Sequence, residues 1–454
     1  MVLHRDGKLM EDLTGDEKVD QLPIIVSGSG MEQLLCVPKL AAGTGKAMAD
    51  AMMVTLSDWG IADSIKALCF DTTSSNTGRI SGACTLVEQH VGRNVLQLAC
   101  RHHIHEIMLE EAFTTTMGPS SGPEIQLFKR FKAFWPNAVH TDYLPGIEVP
   151  AVASAVADVL VETKAFIVNQ LDLIHQREDY RELLELALIF LGDAPVRGIH
   201  FRKPGAIHRA RFMASLIYSL KMYLFRNSGF KMTARELCGL GDLCIWNNMF
   251  LSRLPSAAPA NDLLLLKQLV EYRSPASLAA LKKLCGQLWY LSEELVAFAF
   301  FDRDVDTAEK RAMVKALQHQ GTEDPPKRVT IDQSSISNKQ LHDFVTQNAK
   351  NFFHSLSIND DFLSVDPELW ASNNSYLEAE AVVKELSVVN DTAEWGVALM
   401  QDYNSLLTIK DEDQIQFALQ VVREHRSKFP DSNKSTVVGG LAAPSLATSD
   451  SINC

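Results

Sequence analysis

Apolar and polar positions in the first hundred residues fall into short blocks rather than long stripes. Residues 1–8, MVLHRDGK, form a strand-like run that meets an acidic residue, Asp6. QLPIIVSG (21–28) and EQLLCVPKL (32–40) follow as apolar runs joined by the turn-like Gly28, Ser29 and Gly30, which predicts three strands in an antiparallel meander. GTGKAMADAMMVTLSDWG then sets Ala and Met at helical spacing, with Gly60 as a C-terminal stop. SIKALCFD reads as a fourth strand ending at Asp71, GRISGACTLVEQHVG as a second helix and NVLQLAC as a fifth strand. The predicted order is β-β-β-α-β-α-β.

A strand that follows a helix that follows a strand usually returns parallel to the first and beside it. If the fourth strand returns beside the first, Asp6 and Asp71 end near each other in the middle of the sheet. Two close carboxylates repel unless a cation lies between them, and hard oxygen ligands suit Mg²⁺ or Mn²⁺. The small polar run Thr72 to Gly78 after Asp71 is a loop leading into a helix, so Asp71 also fits a helix cap, and Asp6 also fits a turn in RDGK. Both readings stand at this stage.

From about 125 to 375 the pattern changes to helical stripes. PAVASAVADVLVETKAFIVNQLDLI, YRELLELALIFL, ARFMASLIYSLKMYLF, NDLLLLKQLV and LAALKKLCGQLWYLSEELVAFAFF carry them, punctuated by Pro145, Pro150, Pro195, Pro204, Pro255 and Pro259. Residues 320–340 are polar and Pro-containing and read as a loop, and the Ser-, Ala- and Gly-rich tail from about 431 has no periodicity. AAGTGKAMAD has a Gly-x-Gly-Lys look, but it lacks the first Gly of a phosphate-cradling loop, and Gly45 and Lys46 read as a helix start.

Charge narrows the partners. The chain carries 43 Lys and Arg against 56 Asp and Glu, a net −13, so DNA binding has to rest on a local basic strip. VRGIHFRKPGAIHRARF supplies one, with Arg197, His200, Arg202, Lys203, His208, Arg209 and Arg211; a solvated helix entrance is its rival reading. The 8 cysteines have no paired spacing and read as reduced, mostly buried thiols. No apolar stretch is long enough to span a bilayer and MVLHRDGKLMEDL lacks a secretory apolar core, which predicts a nuclear or cytoplasmic protein.

LHRDGK, CFDTTSSNTG, LACRHHIHE, RKPGAIHRARFM and VNDTAEWGVAL, taken in this order, resemble the catalytic region of the hAT superfamily of DNA transposases, over nearly the whole chain to about residue 430. The resemblance implies a ribonuclease-H-like α/β fold whose mixed sheet is interrupted by a large all-helical insertion: a first core part at 1–118, the insertion at 119–375, C-terminal helices completing the core at 376–430 and a disordered tail at 431–454. It implies an Asp-Asp-Glu site of Asp6, Asp71 and Glu394 holding Mg²⁺ or Mn²⁺ for DNA strand cleavage and transfer. A Cys-x-x-His element at Cys100 and His103 would lie near the site and the bound DNA, with Arg202, Lys203, His208, Arg209 and Arg211 following the DNA backbone. A structural zinc site is rejected, because no second ligand pair appears at zinc spacing. The implied partners are DNA ends and further copies of the chain, in the nucleus, with no membrane. Trp395 stands where the family has Arg and Phe212 where Trp is usual, and the chain opens at the first catalytic strand without a DNA-binding region ahead of it. These departures fit the alternative, a domesticated and catalytically inactive DNA- or protein-binding scaffold.

Overall fold

A computed structural model describes residues 1–11, 18–28, 31–118, 125–172, 178–205, 214–250 and 259–390. The strands are β1 (Val2–Arg5), β2 (Lys8–Glu11), β3 (Lys18–Gln21), β4 (Ile24–Gly28), β5 (Met31–Cys36), β6 (Lys39–Leu40), β7 (Ala67–Phe70) and β8 (Leu96–Ala99). Five of them form a mixed sheet in the order β5-β4-β1-β7-β8. β1 pairs antiparallel with β4, from Val2↔Ser27 to Arg5↔Ile24, and β4 pairs antiparallel with β5. β1 runs parallel to β7, with Leu3↔Leu68 and His4↔Cys69, and β7 parallel to β8, with Phe70↔Ala99. All four residues of each of β1, β7 and β8 are buried, as expected of strands covered on both faces.

β2, β3 and β6 form a second, three-stranded sheet that the apolar pattern does not predict. The second and third predicted strands of the meander are each split at a proline, and the first divides at Asp6 and Gly7 into β1 and β2. Pro23 separates β3 from β4 and Pro38 separates β5 from β6, because proline cannot donate to a ladder. The polar strands KLME and KVDQ then pair with each other away from the core sheet.

α1 (Gly45–Asp58) starts at the predicted place, with the Thr44 side chain accepting from Ala47 N. α2 (Ser74–Thr77) and α3 (Ala83–Val91) connect β7 to β8, α3 closing on Gly92 in the left-handed conformation. α1 and α3 pack together. α4 (Arg101–Met117) leaves β8 directly and leads into the helical region: α5 (Gln126–Phe134), α6 (Pro150–Val156), α7 (Leu160–Leu171), α8 (Glu178–Phe190), α9 (Ala214–Leu224), α10 (Ala234–Phe250), α11 (Pro259–Tyr272), α12 (Pro275–Leu284), α13 (Thr307–Ala316), α14 (Lys350–Leu356) and α15 (Asn374–Lys384).

Two predicted stripes are not single helices: PAVASAVADVLVETKAFIVNQLDLI breaks at 157–159 into α6 and α7, and the other departs further. LAALKKLCGQLWYLSEELVAFAFF is helical only to Leu284, then runs through turns to a 3₁₀ segment at Leu295–Phe301. Leu288, Trp289, Tyr290 and Leu291 are all buried, so the run has no polar face to turn outward. Its contacts are long-range instead: Trp289 meets Phe70 edge-on at 5.6 Å, Tyr290 Oη donates to Ala99 O at 2.6 Å, and Val329 N donates to Leu288 O. These fix the helical region against the carboxyl ends of β7 and β8.

Five of the seven described cysteines are buried. No helix among the described residues is long and apolar enough to cross a membrane.

Candidate active site

β1 and β7 lie side by side and both end in polar segments. Their last pair is His4↔Cys69, and Asp6 and Asp71 each follow the final residue of their strand, so both stand just beyond the carboxyl ends of adjacent parallel strands. Both residues are half-buried.

Asp71 serves the loop and leaves something over. Its Oδ1 accepts from Thr73 N at 3.0 Å, Thr73 Oγ1 at 2.6 Å and Asn76 Nδ2 at 2.5 Å. The run of small hydroxyl and amide residues after the strand is what makes these short-range bonds possible. No described hydrogen bond reaches Oδ2, so one oxygen is anchored while the other keeps its lone pairs. Burial pushes this carboxyl up, but the Thr73 donors, the neighbouring His103 and Asn76 together hold it below the usual aspartate range. It is therefore ionised at neutral pH.

A folded-state value below the unfolded one means that the stabilising contribution is present above about pH 3.9 and is lost as pH falls through the lowered value. The stability difference between wild type and Asp71→Asn, measured by urea unfolding in chelator, is expected to shrink below about pH 4. A difference unchanged from pH 7 to pH 3 would contradict this assignment.

Behind Asp71 lies a buried polar network that sequence patterning does not single out. Arg5, 1% exposed, donates from Nε to Asn76 Oδ1 at 3.0 Å and from Nη2 to Cys84 Sγ at 3.0 Å, with its guanidinium 5.6 Å from the Phe70 ring. Burial pushes the Cys84 thiol up, so it stays protonated beside the guanidinium. Asn390 is fully buried. Its Nδ2 donates to Arg5 O at 2.6 Å and its backbone N to Cys100 Sγ at 3.1 Å, while Arg101 N donates to Val388 O. Residues 388–390 thus cross the carboxyl ends of β1 and β8, four positions ahead of Glu394, which lies outside the described residues. An arginine ending an apolar strand just before Asp6, and an asparagine within Thr-Ser-rich sequence, are the signals that could have pointed to these residues.

The loop is held from its other side by close backbone packing. A Cβ on Gly45 would meet Ser81 O at 2.3 Å and Ser75 O at 2.5 Å. Gly45→Ala is expected to cost about 1–3 kcal/mol, because backbone cannot yield as a flexible side chain would. Chemical denaturation checks this, and unchanged stability would show that the loop shifts freely.

Cys100 is buried, so its thiol faces the interior and accepts from Asn390 rather than presenting a surface. His103 is half-buried on α4 and close enough to bias Asp71. His105 is buried, and burial with the neighbouring charges of Arg101 and His102 keeps its imidazole neutral. In the basic strip, Arg202 is half-buried and its carbonyl accepts from Lys221 Nζ, Lys203 is exposed, and Arg197 is engaged by Glu185 at 2.7 Å. His208, Arg209 and Arg211 lie outside the described residues. Among the described residues, no group of three or more His, Cys, Asp or Glu side chains is arranged to hold a metal ion. The two described carboxylates supply the hard oxygen chemistry that Mg²⁺ or Mn²⁺ takes, with Asp71 Oδ2 open for it.

No protein-family model matches this chain, and no curated protein matches it.

Proposed function

We propose that this chain is a hAT-like, transposase-derived DNA-binding protein with a ribonuclease-H-like core, cleaving and joining DNA strands at a site of Asp6, Asp71 and Glu394. The observation that carries the reading is the parallel pairing of β1 with β7, after whose adjoining carboxyl ends Asp6 and Asp71 follow directly. The strand and helix order of the main sheet supports it further. Asp6, Asp71 and Glu394 would hold two Mg²⁺ or Mn²⁺ ions. When bound, these ions supply activation of an attacking oxygen and stabilisation of a leaving one. Asp71 presents Oδ2 because Thr73 and Asn76 occupy Oδ1. His103 stands beside it to contact a phosphate, and Lys203 with the rest of the basic strip follows the DNA backbone. DNA ends and a second copy of the chain are the partners of this activity, and the nucleus its place.

The test is divalent-cation binding by calorimetry together with cleavage of supercoiled DNA, in wild type and Asp71→Ala. Carboxylate-dependent binding and cleavage support the reading; equal cleavage by both proteins overturns it. The second reading, a catalytically silent DNA- or protein-binding scaffold, is favoured by Trp395, which puts an indole where the family has a cation beside its glutamate. That reading expects DNA binding without cleavage in both proteins.

A further inference from the structure

Arg5 presents a physical problem. A guanidinium removed from water costs several kcal/mol unless it is paired, yet Arg5 makes no ion pair among the described residues. Its described partners are a neutral amide oxygen, a protonated thiol and an aromatic face. Such an arrangement is retained only if something next to it benefits.

The adjoining group is Asp71, one amide away. Asn76 has an oxygen and an NH₂, and without a constraint the two could exchange places. Donation from Arg5 Nε to Asn76 Oδ1 settles the orientation, because only then does Nδ2 face Asp71 Oδ1. A flipped amide would set its oxygen against the carboxylate and its NH₂ against the guanidinium. Arg5 also receives Asn390 Nδ2 on its carbonyl, so one residue touches the segment leading to each expected carboxylate: it precedes Asp6, reaches Asp71 through Asn76, and anchors the chain ahead of Glu394.

We propose that Arg5 and Asn76 form a positioning relay that holds Asp71 Oδ1 and so leaves Oδ2 as the oxygen presented to a cation. The proposal rests on the function proposed above. Arg5 touches no substrate in this scheme; it acts through the asparagine.

The experiment is a double-mutant cycle on Mn²⁺ affinity, measured by calorimetry on the full chain for wild type, Arg5→Met, Asn76→Ala and the double variant. Urea unfolding establishes that each is folded under the assay conditions. Asn76→Ala is expected to weaken Mn²⁺ binding about 10- to 100-fold, as removal of a ligand's supporting hydrogen bond does. Arg5→Met should weaken it comparably, and the double variant should be no worse than Asn76→Ala alone. Merely structural effects would multiply instead, and multiplied losses or single losses under twofold overturn the relay. Arg5→Lys separates geometry from charge: a lysine restores the charge without the planar fork and should recover little, whereas full recovery would overturn the orienting role. Asp71→Ala in the same series distinguishes the two levels. If it binds Mn²⁺ like wild type, the metal site itself is refuted; if it loses binding while Asn76→Ala keeps it, only the relay fails.

Discussion

If the chain cleaves DNA as proposed, Asp71→Ala is expected to lower metal-dependent cleavage by about a thousandfold or more, since withdrawing a cation ligand would forfeit several kcal/mol of charge stabilisation, about 4 kcal/mol for that factor. The effect should be mainly on the cleavage rate at saturating DNA, because the basic strip that would hold DNA is separate in sequence from the carboxylates. Asp71→Asn is the sharper variant. An amide can accept from Thr73 N and Thr73 Oγ1 through its oxygen, keeping the loop closed, but it offers the cation no negative charge. A protein that folds normally, binds DNA and fails to cleave is the expected result, read from nicking rates alongside DNA affinity. If Asp71→Asn cleaves within tenfold of wild type, Asp71 is a loop cap and nothing more, which is the reading its Thr73 contacts would then exhaust.

The largest effect on stability is expected at a different buried charge. Arg101 and Asp262 form an ion pair with side chains 3% and 1% exposed, linking the start of α4 to α11 across 161 positions of sequence. Burial pushes the Asp262 carboxyl up, while Arg101 pulls the other way, so the pair is held against a substantial desolvation cost. Arg101 also lies over the Tyr290 ring at 5.2 Å, and Tyr290 in turn caps Ala99 at the end of β8. Removing the carboxylate withdraws a counter-charge from a buried guanidinium. Asp262→Ala is therefore expected to destabilise the protein by about 3–5 kcal/mol, whereas Arg101→Met with Asp262→Leu should recover most of that loss. Urea unfolding of the two variants decides it. A single variant within 1 kcal/mol of wild type would mean that water reaches the pair and that the helical region is docked by its apolar contacts alone.

Much of the candidate site could be read before the fold was known. VLHR ending at Asp6, ALCF ending at Asp71 and the polar run through Gly78 are local signals, and a strand-helix-strand order brings the two aspartates together by a general rule of handedness and adjacency. The nearness of His103 to Asp71 was implied by the family resemblance of LACRHHIHE alone. Arg5, Asn76 and Asn390 were not legible in the same way. Their partners are 71 and 385 residues away along the chain, and nothing in local periodicity encodes such a pairing.

The sequence by itself determined where the chain alternates and where it turns, hence the five core strands, the helix start at Gly45, a helix between the fourth and fifth strands, and the helical character of the middle. Those properties depend on neighbours within a few residues, where steric preference, turn chemistry and periodic burial act. Tertiary structure alone decided that Pro23 and Pro38 divert the chain into a second sheet, that residues 288–301 abandon a helix to cover strand ends, and which of Asp71's two oxygens is left open. In each case the deciding energy comes from burying apolar groups and satisfying polar ones against distant segments, and those partners exist only once the chain has folded.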